Sequence, residues 1–319
     1  MNEFIIMLRN VLLFVALAVP GYLLVKCNVM KQEQSGALSK VLMFLAMPFL
    51  IFSGTVNNLS FNRELLMLLL ITAVIGVVYT FVMFFASKPL VGMEKDQKTN
   101  GMMRFCSVFS NNGFLGIPLA ISVFGRNSHV FTVLILLNII SNVLMYTLGA
   151  YLVTGDRRNI RLKKAFFNPV LIAFLVGLVF NLLKITDKVG EIITFSDHFS
   201  NVVTPLSMTI LGMKLGAIRF GNLFRSWRIY YVSFLKLIAF PSAILAVLIA
   251  GRMMQWNIPY DSMILGVFVA FAMPTAGLAS TFADEFGGDT ENAVIFTLGT
   301  TILSILTIPC LYWILNIFI

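Results

Sequence analysis

The sequence predicts an all-α membrane protein of ten transmembrane helices, arranged as an inverted 5+5 repeat in which helices 4 and 9 are broken and cross. Three observations predict it. The composition is too apolar for water, ten apolar stretches have spanning length, and helix-breaking motifs recur at matching places in the two halves. Of 319 residues, 59% are hydrophobic and 12% charged, about half the charged share of a soluble domain. That little polar surface cannot solvate a globule of this length, which excludes a soluble enzyme, and it is equally far from a disordered composition. A net charge of +9 would suit nucleic acid in a soluble protein. Here no basic face survives between the apolar runs, so the charge is read as membrane topology and no nucleic-acid partner is expected.

Cys27, Cys106 and Cys310 lie in or beside apolar segments. An odd count without paired or metal-ligand spacing supports neither a disulfide framework nor a metal site, and no cofactor is implied. Ala16-Leu17-Ala18 resembles a processing site, but Glu3 precedes Arg9 and a basic leading region is missing, so the first helix is read as retained.

A span needs about twenty apolar residues to cross about 30 Å of hydrocarbon. Residues 4–25, 37–56, 65–86, 102–124, 130–153, 166–183, 199–218, 229–250, 262–283 and 292–318 qualify. The connections between them are short and most hold charges or turn residues. Connections 1–2, 3–4, 5–6 and 7–8 hold sixteen Lys and Arg residues, including Lys40, Arg161, Lys164, Lys214 and Arg219. The opposite side holds six: Arg9, Arg63, Arg126, Lys184, Lys188 and Arg252. Basic residues accumulate in cytoplasmic connections, which puts both termini outside a multi-pass protein of the cytoplasmic membrane. Connection 9–10 has no basic residue and is placed by parity.

Self-similarity at half the chain length supports the repeat. Asn10 matches Asn168, Pro48 matches Pro205, and Leu119-Ala120 matches Leu278-Ala279, with span order and spacing superposing at the same offset. Five spans per half is odd, so the second half inserts upside down. The expected repeats are residues 1–157 and 158–319.

The chemistry is expected where helices break near the membrane centre. Span four reads Ser110-Asn111-Asn112-Gly113-Phe114-Leu115-Gly116-Ile117-Pro118, and span nine reads Ala272-Met273-Pro274-Thr275-Ala276-Gly277. Gly116, Pro118, Pro274 and Gly277 are the expected helix breakers. Irregular backbone at that depth must be buried or line a wet cavity. Two proline kinks that ease packing are the plain alternative. The functional reading is a pair of interrupted helices whose half-helix N-termini aim at a bound anion. Asn111, Asn112, Gly113, Pro274 and Thr275 then line the site, joined by Asn138 and Asn142, which share a face of span five. Thr297, Thr300, Thr301 and Ser304 form a hydroxyl stripe on span ten that either contributes or only glues helices.

Lys236 is the one charge placed deep in a span, about 12 Å beyond Arg228 at about 1.5 Å per residue. It either snorkels to the interface or faces the cavity and attracts anions. No Asp or Glu lies near the centre of any span. Asp284, Glu285, Asp289 and Glu291 flank Gly287-Gly288, read as a helix end followed by an Asp289 N-cap.

At these residues the sequence resembles the auxin efflux carrier family. The resemblance rests on Asn111 through Pro118, Thr204-Pro205-Leu206, Lys236 through Pro241, Ala272-Met273-Pro274 through Asp289, and Ser304 through Pro309, and it covers the chain in order. It implies a ten-helix fold like that of bile acid:sodium symporters, with crossing helices four and nine and transport of carboxylate-bearing anions. The family's binding asparagine falls on Asn111. The short connection after span five makes the chain similar to bacterial members described as malate, malonate or general permeases. Span three lacks the central acidic residue that plant exporters carry. The resemblance also implies a homodimer with spans one, two, six and seven as a static scaffold.

The expected function is therefore a secondary transporter, a permease moving small organic carboxylate anions across the cell membrane. An anion channel or a membrane-embedded solute sensor would use a similar polar cavity. An enzyme is not expected, since no HExxH or GxGD motif and no paired intramembrane carboxylates occur, and no phosphate-binding GxxxxGK[ST] loop is present.

Overall fold

The computed structural model describes residues 2–59, 63–183, 185, 190–217, 223–254 and 260–319. Lys184, Lys188 and Arg219, used in the charge count, lie outside the described residues. Helices account for almost all of the described chain: α1 (Asn2–Lys26), α2 (Gln34–Asn58), α3 (Arg63–Leu90), α4 (Gln97–Val108), α5 (Asn112–Phe124), α6 (His129–Thr154) and α7 (Leu162–Phe166). They continue as α8 (Pro169–Leu182), α9 (Gly190–Ser200), α10 (Val203–Gly216), α11 (Trp227–Met253), α12 (Tyr260–Phe271), α13 (Ala279–Phe286) and α14 (Thr290–Leu315). Among the described residues, seven helical stretches are long and apolar enough to cross a membrane, in α1, α2, α3, α6, α7–α8, α11 and α14. The outer faces stay apolar; Leu70 and Phe85 of α3 are 68% and 66% exposed, as lipid contact requires.

Local chemistry sets the helix ends. Asp96 accepts from the Thr99 amide, Ser128 from Phe131, Ser226 from Arg228 and Asp289 from Asn292, each side chain taking up one of the free amides of a first turn. α13 closes on Gly287 at φ 69°, a left-handed position that glycine adopts without steric cost. Three prolines, Pro48, Pro118 and Pro241, follow a widened π turn at Leu42–Ala46, Asn112–Gly116 and Leu235–Ala239. A proline has no amide and its ring presses on the carbonyl one turn earlier; the wider turn makes room for it.

Several expected boundaries shift. The fourth apolar stretch starts at Gln97 rather than 102, because Asp96 caps it. The sixth is stepped at Asn168, which caps α8 with Pro169 in the first turn. The helical path before the seventh starts at Gly190, since α9 carries Glu191, Asp197 and His198 and is too polar for a hydropathy count. Lys214, counted with a connection, sits inside α10.

The connections gather at two ends of the molecule. At one end Arg161 and Lys164 pair with Glu285, Arg228 with Glu94 at 2.5 Å, and Thr99 donates to Asp289 at 2.6 Å. The Arg228 hydrogen bond holds the Glu94 carboxyl below the usual carboxylate range. At the other end Arg126 reaches Asp197 and Asn201, Arg252 pairs with Asp261 at 2.7 Å, and Ser122 donates to Asn10 at 2.8 Å.

α1 packs along α10, while α2 packs against α8 and α9. The first contact is backbone on backbone. A Cβ at Gly21 would stand 2.0 Å from the Thr209 carbonyl oxygen, and one at Gly212 would stand 1.9 Å from that of Ala18. Without a hydrophobic drive between helices in lipid, such close approach supplies the dispersion contact that joins them. Gly212→Val is expected to force α1 and α10 apart, destabilising the protein by about 3 kcal/mol or more. Thermal unfolding in detergent checks this, with Gly36→Ser as the control because a Cβ at Gly36 meets nothing within 4 Å.

Candidate functional site

The helical path stops at Val108 and again at Phe271, and the two extended segments that follow meet. Ser110 and Thr275 face each other as an isolated antiparallel bridge. The Asn111 amide donates to the Pro274 carbonyl at 2.8 Å, and the Ala276 amide donates to the Phe109 carbonyl at 3.0 Å. Pro274 can only accept in this pairing, which is all its position asks of it. An unpaired backbone group at membrane depth costs several kcal/mol, and the exchange satisfies four of them at once. Thr275, fully buried, ties the bridge to its surroundings: its amide donates to Thr300 Oγ1 at 3.1 Å and its hydroxyl to the Cys106 carbonyl at 2.8 Å.

A cavity of about 40 Å³ lies beside the bridge, lined by Asn111, Asn112, Gly113, Asn138, Asn142 and Gly277 among others. It has room for a few water molecules. Asn112 donates to Ser141 at 3.0 Å, and Asn142 donates to the Asn138 carbonyl at 2.8 Å and to Asn138 Oδ1 at 3.3 Å. Asn112 Oδ1 and Asn138 Nδ2 are buried without any partner among the described residues. The starts of α5 and α13 line the same cavity through Asn112, Gly113 and Leu278, and no side chain caps either of them. Free amide hydrogens and the positive ends of two helix dipoles therefore point at a space furnished with amides. The glycines keep it open. A Cβ at Gly113 would stand 3.2 Å from Asn138 Oδ1, and one at Gly277 would stand 3.3 Å from Asn111 Nδ2.

The other expected residues take different places. Pro274 and Thr275 form the bridge rather than the cavity wall. Gly116 admits Met273, whose Cγ would stand 3.3 Å from an added Cβ, and Pro118 follows the π turn. The hydroxyls of Thr297, Thr301 and Ser304 bond to carbonyls of their own helix, so only Thr300 of that stripe reaches the bridge. Lys236 does not snorkel. It is fully buried, and its ammonium donates to Ser110 Oγ and, at 3.5 Å, to the Phe271 carbonyl.

Sequence reasoning missed Lys214 and Asn168. The Lys214 ammonium donates to the Gly277 carbonyl at 3.0 Å, next to the start of α13. It also lines a vestibule of about 840 Å³ together with Lys40, Lys163, Lys164, Asp284 and Glu285. Met43, Asn168 and Leu278 line both this vestibule and the small cavity. A lysine inside an apolar run was the available signal, the same one that marked Lys236.

A buried polar atom without a partner costs about 1–3 kcal/mol. Asn138→Leu removes the orphaned nitrogen with the same number of side-chain heavy atoms, and Asn142 keeps its shorter bond to the residue-138 carbonyl, so the variant is expected to leave the melting temperature unchanged or raise it, as measured by thermal unfolding. A large fall would mark Asn138 as a structural residue.

The chain matches a family model described as "Membrane transport protein" twice, over residues 5–162 and 157–312. It is similar to an uncharacterized transporter of Methanothermobacter thermautotrophicus, 27% identical over 94% of this chain and 96% of the relative. An uncharacterized transporter of Methanocaldococcus jannaschii is likewise 27% identical, over 96% of this chain and 97% of the relative. The chain belongs to the membrane transport protein family, that of the auxin efflux carriers whose motifs it carries.

Proposed function

We propose that this transporter is a secondary carrier of small organic carboxylate anions, with the anion bound where the two extended segments cross. The observation that carries the reading is the convergence of two uncapped helix starts, the orphaned amide nitrogen of Asn138 and the Asn111 side chain on one cavity. A carboxylate loses its water there and needs hydrogen bonds or positive dipoles in exchange. Neutral donors provide them without a trap too deep for release.

In this reading the ten apolar stretches form an inverted repeat of residues 1–157 and 158–319. α4 with α5 and α12 with α13 are then its two broken, crossing helices. The gathering of alternate connections at opposite ends supports that topology. By the distribution of Lys and Arg the vestibule end is cytoplasmic and both termini are outside the cell membrane. Lys40, Lys163 and Lys214 line the vestibule without an ion-paired carboxylate among the described residues, against Glu33 and Asp284 without an ion-paired base, and this small positive excess favours anions on the way to the crossing. The small cavity must widen to admit one, and the vestibule, which shares Met43, Asn168 and Leu278 with it, is the approach. The contacts of α1 with α10 and of α2 with α8 and α9 suit a rigid scaffold on which a homodimer would form.

Counterflow in proteoliposomes tests the function. A panel of labelled dicarboxylates and aromatic acids is expected to yield one that accumulates transiently against a trapped excess of itself. Flux that only follows the electrochemical gradient would indicate a channel, and binding without flux a sensor. Asn111→Ala is expected to weaken the affinity for that anion about tenfold, the loss of one hydrogen bond of about 1.5 kcal/mol to a charged group.

A further inference from the structure

The crossing that exposes two helix starts to the cavity also brings together two helix ends. α4 and α12 finish at Val108 and Phe271, beside the bridge of Ser110 with Thr275. Each helix end carries up to about half a negative charge; the Phe105, Cys106 and Phe268 carbonyls are already engaged, so the two ends together present at most about one. Carbonyls gathered in this way are what coordinates a small cation in an interrupted-helix carrier. The Lys236 side chain enters this place from α11. It is 0% exposed, its ammonium touches Ser110 of one extended segment and the Phe271 carbonyl at the end of the other helix, and no carboxylate pairs with it among the described residues. A buried cation without a counter-ion is costly unless partial charges replace one.

We propose that Lys236 is a tethered cation filling a monovalent-cation site at the crossing, so that the transporter closes its crossing without binding sodium from solution. The lysine is a positioning residue: it neutralises the ends of α4 and α12 and bridges them, and thereby holds the starts of α5 and α13 on the anion cavity. The charge match favours this role over a direct anion contact, since Ser110 and the Phe271 carbonyl already engage the ammonium. A protein that borrowed its cation from solution would leave the site empty in sodium-free buffer. Here the amine is tethered to the chain and is not lost when sodium is removed. Removing it recreates a site with a vacancy the size of an ammonium group, open to a small cation but too small for choline.

The inference rests on reading the two segments as a carrier's crossing, yet its test uses no substrate. A failed counterflow assay and a failed test here are therefore separate results. Thermal unfolding of the purified full-length protein is measured at equal ionic strength in choline, sodium and methylammonium chloride. The wild-type melting temperature is expected to be the same in all three. Lys236→Met is expected to melt lower in choline, and sodium or methylammonium is expected to raise its melting temperature by about 2 °C or more, as a ligand of the native state does. Ser110→Ala keeps the charge and is expected to show no cation dependence. A sodium-dependent rise in the wild type would overturn the proposal. So would a Lys236→Met protein as stable as wild type in choline, or one that no small cation restores. If Lys236→Met does not accumulate folded, the wild type and Ser110→Ala decide, and a cation-dependent rise in either overturns it.

Discussion

Two backbone hydrogen bonds, from Asn111 to Pro274 and from Ala276 to Phe109, are the constraint on which the centre of this protein depends. A helix interrupted in hydrocarbon leaves its amides and carbonyls without water, and an isolated break there would be prohibitively costly. Two breaks placed against each other remove most of that cost, because each segment supplies what the other lacks. Each extended segment therefore depends on the other for its backbone partners. Thr275, with Thr300 and Cys106 as partners, fixes the register of the pair.

Once the pairing is in place, the electrostatics follow from helix direction. Two helix starts and two helix ends meet within one crossing, giving a positive and a negative pole a short distance apart. The negative pole holds the buried lysine, and the positive pole faces amides and a cavity. In the proposed reading this separation suits an anion: the lysine is engaged on the far side, and the cavity offers dipoles and neutral donors. Lys214 stands at the join between the cavity and the vestibule, a place from which, in the proposed reading, a cation would draw an anion inward without lying under it. Close backbone contact through Gly21 and Gly212 joins α1 firmly to α10.

Much of this was legible in the residues, and the limits have physical causes. The helices start and stop within a few residues of the apolar stretches wherever capping chemistry is local, as at Asp289 and Asn168. The helix ends at Val108 and Phe271 lie next to the motifs rich in Gly and Pro, which act on their own turns. The partner of each break was suggested only by its offset, since the register of Ser110 on Thr275 is set by tertiary contacts. The hydroxyl stripe of α14 was visible, but the use of Thr297, Thr301 and Ser304 by their own backbone was not, because periodicity shows a face and not a bond. Helix α9 was hidden by its charges, and Lys214 by its nearness to a connection. The direction of the Lys236 side chain could not be read from its depth alone: snorkelling and burial are equally long reaches for a lysine, and only Ser110 decides between them.

The central claim is that the anion sits at the crossing and nowhere else. An experimental structure of the purified transporter with a transported carboxylate tests it most directly. The account predicts ligand density between Asn111, Asn112 and Asn138 and the starts of α5 and α13, in a cavity wider than the present one. Density confined to the basic vestibule around Lys40 and Lys163, with the crossing still closed, would contradict it.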